Sequence, residues 1–163
     1  MAELTPLDEK LGEVLGLAQA AQVATAKVRT LEGADAFGDE LDRMHEQAAE
    51  TERRTDELVD AREGRKTAIR EKASDTKSEG ADMMKIYLAG EEEALDGFEF
   101  LSMAEAGELC HWEIVEKISA AIQDQKASEL ARWAVTVQRE HINAVRQAYL
   151  ELAGHEAKEM AAA

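Results

Sequence analysis

The chain has 163 residues, a formal net charge of −16, one cysteine, one proline and 4% aromatic residues. Such acidity disfavours nucleic acid and anionic membrane as partners, and a single cysteine leaves no intrachain disulfide. No apolar run has the length of a membrane span and no basic-then-apolar leader opens the chain, so the expectation is a cytoplasmic protein. Abundant Ala, Glu, Leu, Lys and Arg favour helix over strand.

The first predicted helix starts at Thr5, a good N-cap, with Pro6 suited to the first helical position and Asp8 to the first turn. Its apolar stripe runs Leu7, Leu11, Val14, Ala18, Ala21, Thr25, Val28, and Gly33 stops it. A second helix begins near Phe37–Asp39 and carries Leu41, His45, Ala48, Glu52, Thr55 and Val59 on one face. Gly64 and the Ser78-Glu79-Gly80 cluster are both candidate ends for it. Residues 52–78 hold seven acids and eight bases, so this stretch is nearly neutral and the negative charge lies on either side of it. Its few large apolar residues suit a solvated helix laced with ion pairs, or an interaction arm.

A further helical stretch covers Ala81 to about Ala94, and Gly97 separates it from a third bundle helix ending near Ile122. Asp124 caps a fourth, with the stripe Leu130, Ala134, Val137, His141, Ala144, Ala148, Leu152 and a stop at Gly154. The expected architecture is all-α: one four-helix bundle over 1–154, an extra helical segment or extended hairpin between its second and third helices, and a flexible tail over 155–163.

The third helix carries the chemistry. Steps of three and four from Leu101 give Leu101, Ala104, Glu108, His111, Val115, Ile118, Ile122, an apolar stripe interrupted by a carboxylate and an imidazole one turn apart. A buried carboxylate must be paired or bound to a metal, and Glu-x-x-His facing inward is the ligand unit of di-metal four-helix bundles. A turn near residue 34 sets His45 beside Gln22, and a turn near residue 124 sets Glu108 opposite Glu140 and His141. Three of the four histidines therefore fall on core stripes, and the four helices can converge at one level. The candidate metal ligands are Gln22, His45, Glu108, His111, Glu140 and His141, with iron, manganese or zinc as chemically suitable ions. Cys110 reads as a small buried thiol, and Trp112 and Trp133 as packing or dimer-interface residues.

At these positions the chain resembles the ferritin-like superfamily, and within it the bacterial stress-associated bundles of YciE/YciF type. The likeness lies in His45-Glu46-Gln47-Ala48-Ala49-Glu50-Thr51 followed by Leu58, and in His111-Trp112-Glu113-Ile114. The resemblance implies a ferritin-like bundle, a homodimer, a di-iron site and a stress-linked role. The chain departs from that pattern at Gln19 and Gln22, where a glutamate is expected, and in Asp42-Arg43-Met44-His45 and Gln138-Arg139-Glu140-His141, where Glu-x-x-His is expected. Glu52, Glu105 and Glu140 are the carboxylates available as substitutes. Two functions follow: an iron-binding protein with oxygen or peroxide chemistry, or a non-catalytic helical scaffold whose polar residues fix register.

Overall fold

The computed structural model describes residues 3–163 and is all-α, with helices α1 (Pro6–Val28), α2 (Gly38–Asp60), α3 (Lys66–Leu88), α4 (Ala94–Ala121) and α5 (Gln125–Ala162). α1 opens with a full capping box. Thr5 Oγ1 accepts from the Asp8 backbone N–H at 3.2 Å, and Asp8 Oδ2 accepts from the Thr5 backbone N–H at 3.0 Å. Asp8 is wholly buried and also takes the Arg65 guanidinium at 2.6 Å, which ties the start of α1 to the loop before α3. Gly33, Gly64 and Gly90 occupy the left-handed region in the three longer connections (φ +84°, +77° and +79°). Asp124 caps α5 through the Ala127 N–H at 3.0 Å and pairs with Arg62 of the α2–α3 connection.

The segment between the second and third bundle helices is a crossover. α2 ends at Asp60, and residues 66–88 form one continuous helix that contains both the Ser78–Gly80 cluster and the first part of the stretch assigned to 81–94. α1, α3 and α5 run one way and α2 and α4 the other, so α2 and α4 are parallel. α1 packs on α2 and α4, and α5 packs on α4 and α2, closing a four-helix frame. α3 lies outside that frame, against α1. The near-neutral stretch is a solvated surface rather than a free arm: Arg53 pairs with Glu50 and Glu57, and Arg70 links Asp56 and Asp60. Where the chain turns at the other end, Glu32 exchanges backbone hydrogen bonds with Glu92 and Ala94 at 2.7 and 2.8 Å.

Two apolar layers fill the frame and its seam with α3. One gathers Leu7, Leu11, Val14, Ile69, Trp112 and Val115; the other gathers Val28, Leu41, Met44, Phe98, Leu101 and Val145. At its far end α5 runs through Gly154 to Ala162 as exposed helix, in place of the expected tail from residue 155. A glycine stop fails there because Gly154 adopts no left-handed conformation.

α1 and α3 approach so closely that glycine is required between them. A Cβ on Gly16 would lie 2.3 Å from the Ala73 carbonyl oxygen and 2.8 Å from Thr76 Cβ; one on Gly12 would lie 2.8 Å from the Ile69 carbonyl oxygen. Backbone cannot yield as a flexible side chain can, so the helices would have to separate. Gly16→Ala is expected to lower stability by about 1–3 kcal/mol in urea denaturation. Gly107→Ala in α4, where an added methyl meets nothing within 4 Å, is expected to raise it by about 0.5–1 kcal/mol. Equal effects at both sites would refute the close-approach account.

Candidate functional site

The buried row of α4 is Leu101, Glu105, Glu108, Trp112, Val115, Ser119. It shares Leu101, Glu108 and Val115 with the expected stripe but takes Glu105 and Trp112 where that stripe had Ala104 and His111. Both rows alternate steps of three and four, so spacing alone does not separate them. The bulk of Trp112 does: the largest apolar side chain takes the interior, and His111 rotates toward α1. His111 is half-buried there, with Nδ1 donating to the Gly107 carbonyl at 2.8 Å and Nε2 lying 3.3 Å from Glu13 Oε2.

A polar cluster from three helices occupies the interior of the frame. His141 of α5 is buried, its Nδ1 donates to Glu105 Oε2 of α4 at 3.0 Å, and its Nε2 lies 2.7 Å from Gln47 Oε1 of α2. Gln138, one turn before His141, is also buried, and its Oε1 has no partner. Glu108, one turn after Glu105, is buried with Oε1 unpartnered. Burial holds the Glu108 carboxyl well above the usual carboxylate range, and the neighbouring Glu105 carboxylate pushes it the same way; the Trp112 indole opposes both.

The six expected metal ligands are not brought together. Glu108 and His141 reach the interior. His45 is half-buried against α1, with Nδ1 donating to the Gln22 carbonyl at 3.0 Å and 3.3 Å from Thr25 Oγ1. Gln22 instead donates to Glu52 Oε2 at 2.6 Å, beside Gln19, which donates to Oε1 at 2.9 Å. Glu140 is exposed and faces Arg43 at 3.6 Å. Helical phase explains this: Glu140 is adjacent in sequence to the inward His141 and is thus turned about 100° away from it. Among the described residues, no three His, Cys, Asp or Glu side chains are arranged to hold a metal ion. The donor set fits a di-metal centre poorly. Both nitrogens of His141 are engaged by protein, and the positions supplied by Gln22, Gln47 and Gln138 are neutral amides.

Glu105, Gln47 and Gln138 carry the interior cluster alongside His141, and only the burial of Trp112 rather than His111 would have pointed to Glu105. The carboxylates of the two resemblance segments lie toward the surface. Glu50 is drawn down to a pKa of about 2 by hydrogen bonds from Arg53 and Arg54, and Glu113 is exposed and pairs with Arg139 at 3.0 Å. Cys110 is exposed, not buried, because it precedes His111 on the outer side of α4. Trp112 is core, whereas Trp133 is half-buried under the Arg54 guanidinium, 4.1 Å from its ring centre. Comparison with protein-family models, curated proteins and solved structures finds no match.

The unfolded chain ionises Glu108 near the ordinary value of 4.5, whereas the folded chain keeps the proton to higher pH. The native state then binds more protons than the unfolded state, so this contribution is complete below that value and falls as pH rises toward the folded pKa. Glu108→Gln removes the titration but keeps the shape. Urea midpoints between pH 5 and pH 8 are expected to fall more steeply for the wild type than for Glu108→Gln. Parallel profiles would rule out a proton held at Glu108.

Proposed function

We propose that this chain is a ferritin-like helical bundle whose central ligand positions have become a hydrogen-bonded register lock, and that it serves as a non-catalytic helical scaffold rather than an iron oxidase. The observation that carries the proposal is His141, whose two ring nitrogens are both engaged by protein, on Glu105 and on Gln47, joining α2, α4 and α5. The ferritin-like part rests on parallel α2 and α4 joined by one long crossover, the connection that distinguishes such folds from simple up-down bundles. The stress-linked role, the homodimer and the cytoplasmic setting rest on the resemblance at His45–Thr51 and His111–Ile114 and on the acidic composition.

A lock and a metal centre respond differently to the loss of His141. In a lock, His141→Ala leaves Glu105 buried without its partner, at a cost of about 3–5 kcal/mol. That cost is expected to be the same with and without Fe(II) under anaerobic conditions, with no stoichiometric iron retained by the wild-type chain. Retention of one or two irons per chain that is lost in His141→Ala, with wild-type stability rising on iron addition, would overturn the proposal in favour of iron chemistry.

A further inference from the structure

The buried rows of α4 and α5 keep one antiparallel register. Glu105 meets His141; on one side of that pair Leu101 and Val145 share an apolar layer, and on the other side Trp112 and Ala134 share the second layer. Each step of three or four along α4 is matched by an equal step back along α5, so the position opposite Glu108 is Gln138. Both side chains are 2% exposed, and each has an Oε1 without a hydrogen-bond partner. Trp112, one turn from Glu108, is wholly buried with its indole Nε1 also unpartnered, and that indole acts on the Glu108 carboxyl. Among the described residues, three of the four buried side-chain atoms that lack a partner therefore belong to this one level of the α4–α5 contact. Buried polar atoms of folded proteins are nearly always paired, so three orphans together call for one common cause.

The cause is a shortage of donors. The indole N–H is a single donor, whereas Glu108 Oε1 and Gln138 Oε1 are both acceptors while Glu108 is ionised. One proton on Glu108 corrects the count, because the O–H is a second donor and the carboxyl keeps lone pairs for the indole. A Gln138 amide turned over would instead give its N–H to an ionised Glu108. Burial and the Glu105 charge one turn away both oppose that ionised state. The remaining titratable and charged groups around this level are His111 on α4, with Glu13 of α1 on its ring and Lys77 of α3 nearby, His141 on α5, and Glu52 on α2, held by Gln19 and Gln22. None of them bonds Glu108 Oε1. We propose that Trp112, Glu108 and Gln138 form a hydrogen-bonded chain completed by one proton, in which the neutral Glu108 carboxyl accepts from the indole N–H and donates to Gln138 Oε1, making the α4–α5 contact proton-sensitive. The link is whole at low pH and is lost as pH rises through the folded pKa of Glu108, which lies above the ordinary 4.5. The chain stands whether or not the Glu105–His141–Gln47 contacts act as a lock, because it uses none of their atoms.

Trp112 supplies the readout. In Trp133→Phe it is the one remaining tryptophan, and its emission is followed in a pH titration of the full chain. The expected result is a one-proton transition above the ordinary carboxylate range that disappears in Glu108→Gln, a background that keeps His111, His141 and Glu105. Gln138→Met keeps the length of the side chain but removes the amide oxygen. It should lower the proton affinity read from that transition about three- to tenfold, the size of one hydrogen bond. In the wild type, which needs no variant to fold, the Trp112 Nε1–H and Gln138 side-chain amide resonances should move together at the same midpoint. A transition that survives Glu108→Gln would overturn the proposal, as would its absence from the parent. So would a midpoint unchanged or raised in Gln138→Met, the latter being the mark of an amide that donates to an ionised Glu108, or a Gln138 resonance that stays fixed while Trp112 titrates.

Discussion

The arrangement of the whole molecule depends on α1 being covered on three sides. It takes α2 and α4 within the four-helix frame and α3 from outside it. A helix with one apolar stripe cannot do this. α1 manages it because Leu7, Leu11, Val14 and Val28 fill the frame while Gly12 and Gly16 present bare backbone to α3. The crossover can then lie close enough to bury Ile69 and Ala73 despite being mostly polar itself. Such tight contact leaves little freedom in the axial position of α3, and the Arg65–Asp8 pair at its start fixes what remains.

With α1 and α3 placed, the frame still has to choose a register for α5 against α4. Apolar layers built from Leu, Val and Ala tolerate sliding by a turn, since similar side chains recur every three or four residues. The Glu105–His141–Gln47 contacts do not. Moving α5 by one turn would part His141 from both Glu105 and Gln47 and leave a buried carboxylate without that partner, which is more costly than a misplaced methyl group. A buried polar network of this type adds little net stability but separates the native register from its neighbours.

Much of this was legible in the chain. Thr5, Pro6 and Asp8 mark the first cap, Gly33 and Gly64 mark turns, and Asp124 marks the start of α5, because caps and left-handed turns are decided by local chemistry. The continuity of α3 was not legible. Gly80 looks like a stop, yet it sits mid-helix where a Cβ would lie 3.0 Å from Ala20 Cβ, so its role comes from a partner helix distant in sequence. The interior polar cluster was half legible. Glu108 and His141 were found by periodicity, but Glu105 and Gln47 depend on helix phase, and the phase of α4 is set by where Trp112 fits among Leu7, Leu11 and Val115.

The same phase buries two carboxyls of α4, one turn apart. Glu105 looks toward α5 and α2, where His141 meets it; Glu108, one turn on, is buried with Oε1 unpartnered. The two carboxyls are close enough that the charge on Glu105 raises the pKa of Glu108. The fit of Trp112 therefore decides more than apolar packing: it turns two carboxyls of one helix inward together, and burial with the nearby Glu105 charge makes Glu108 hold its proton.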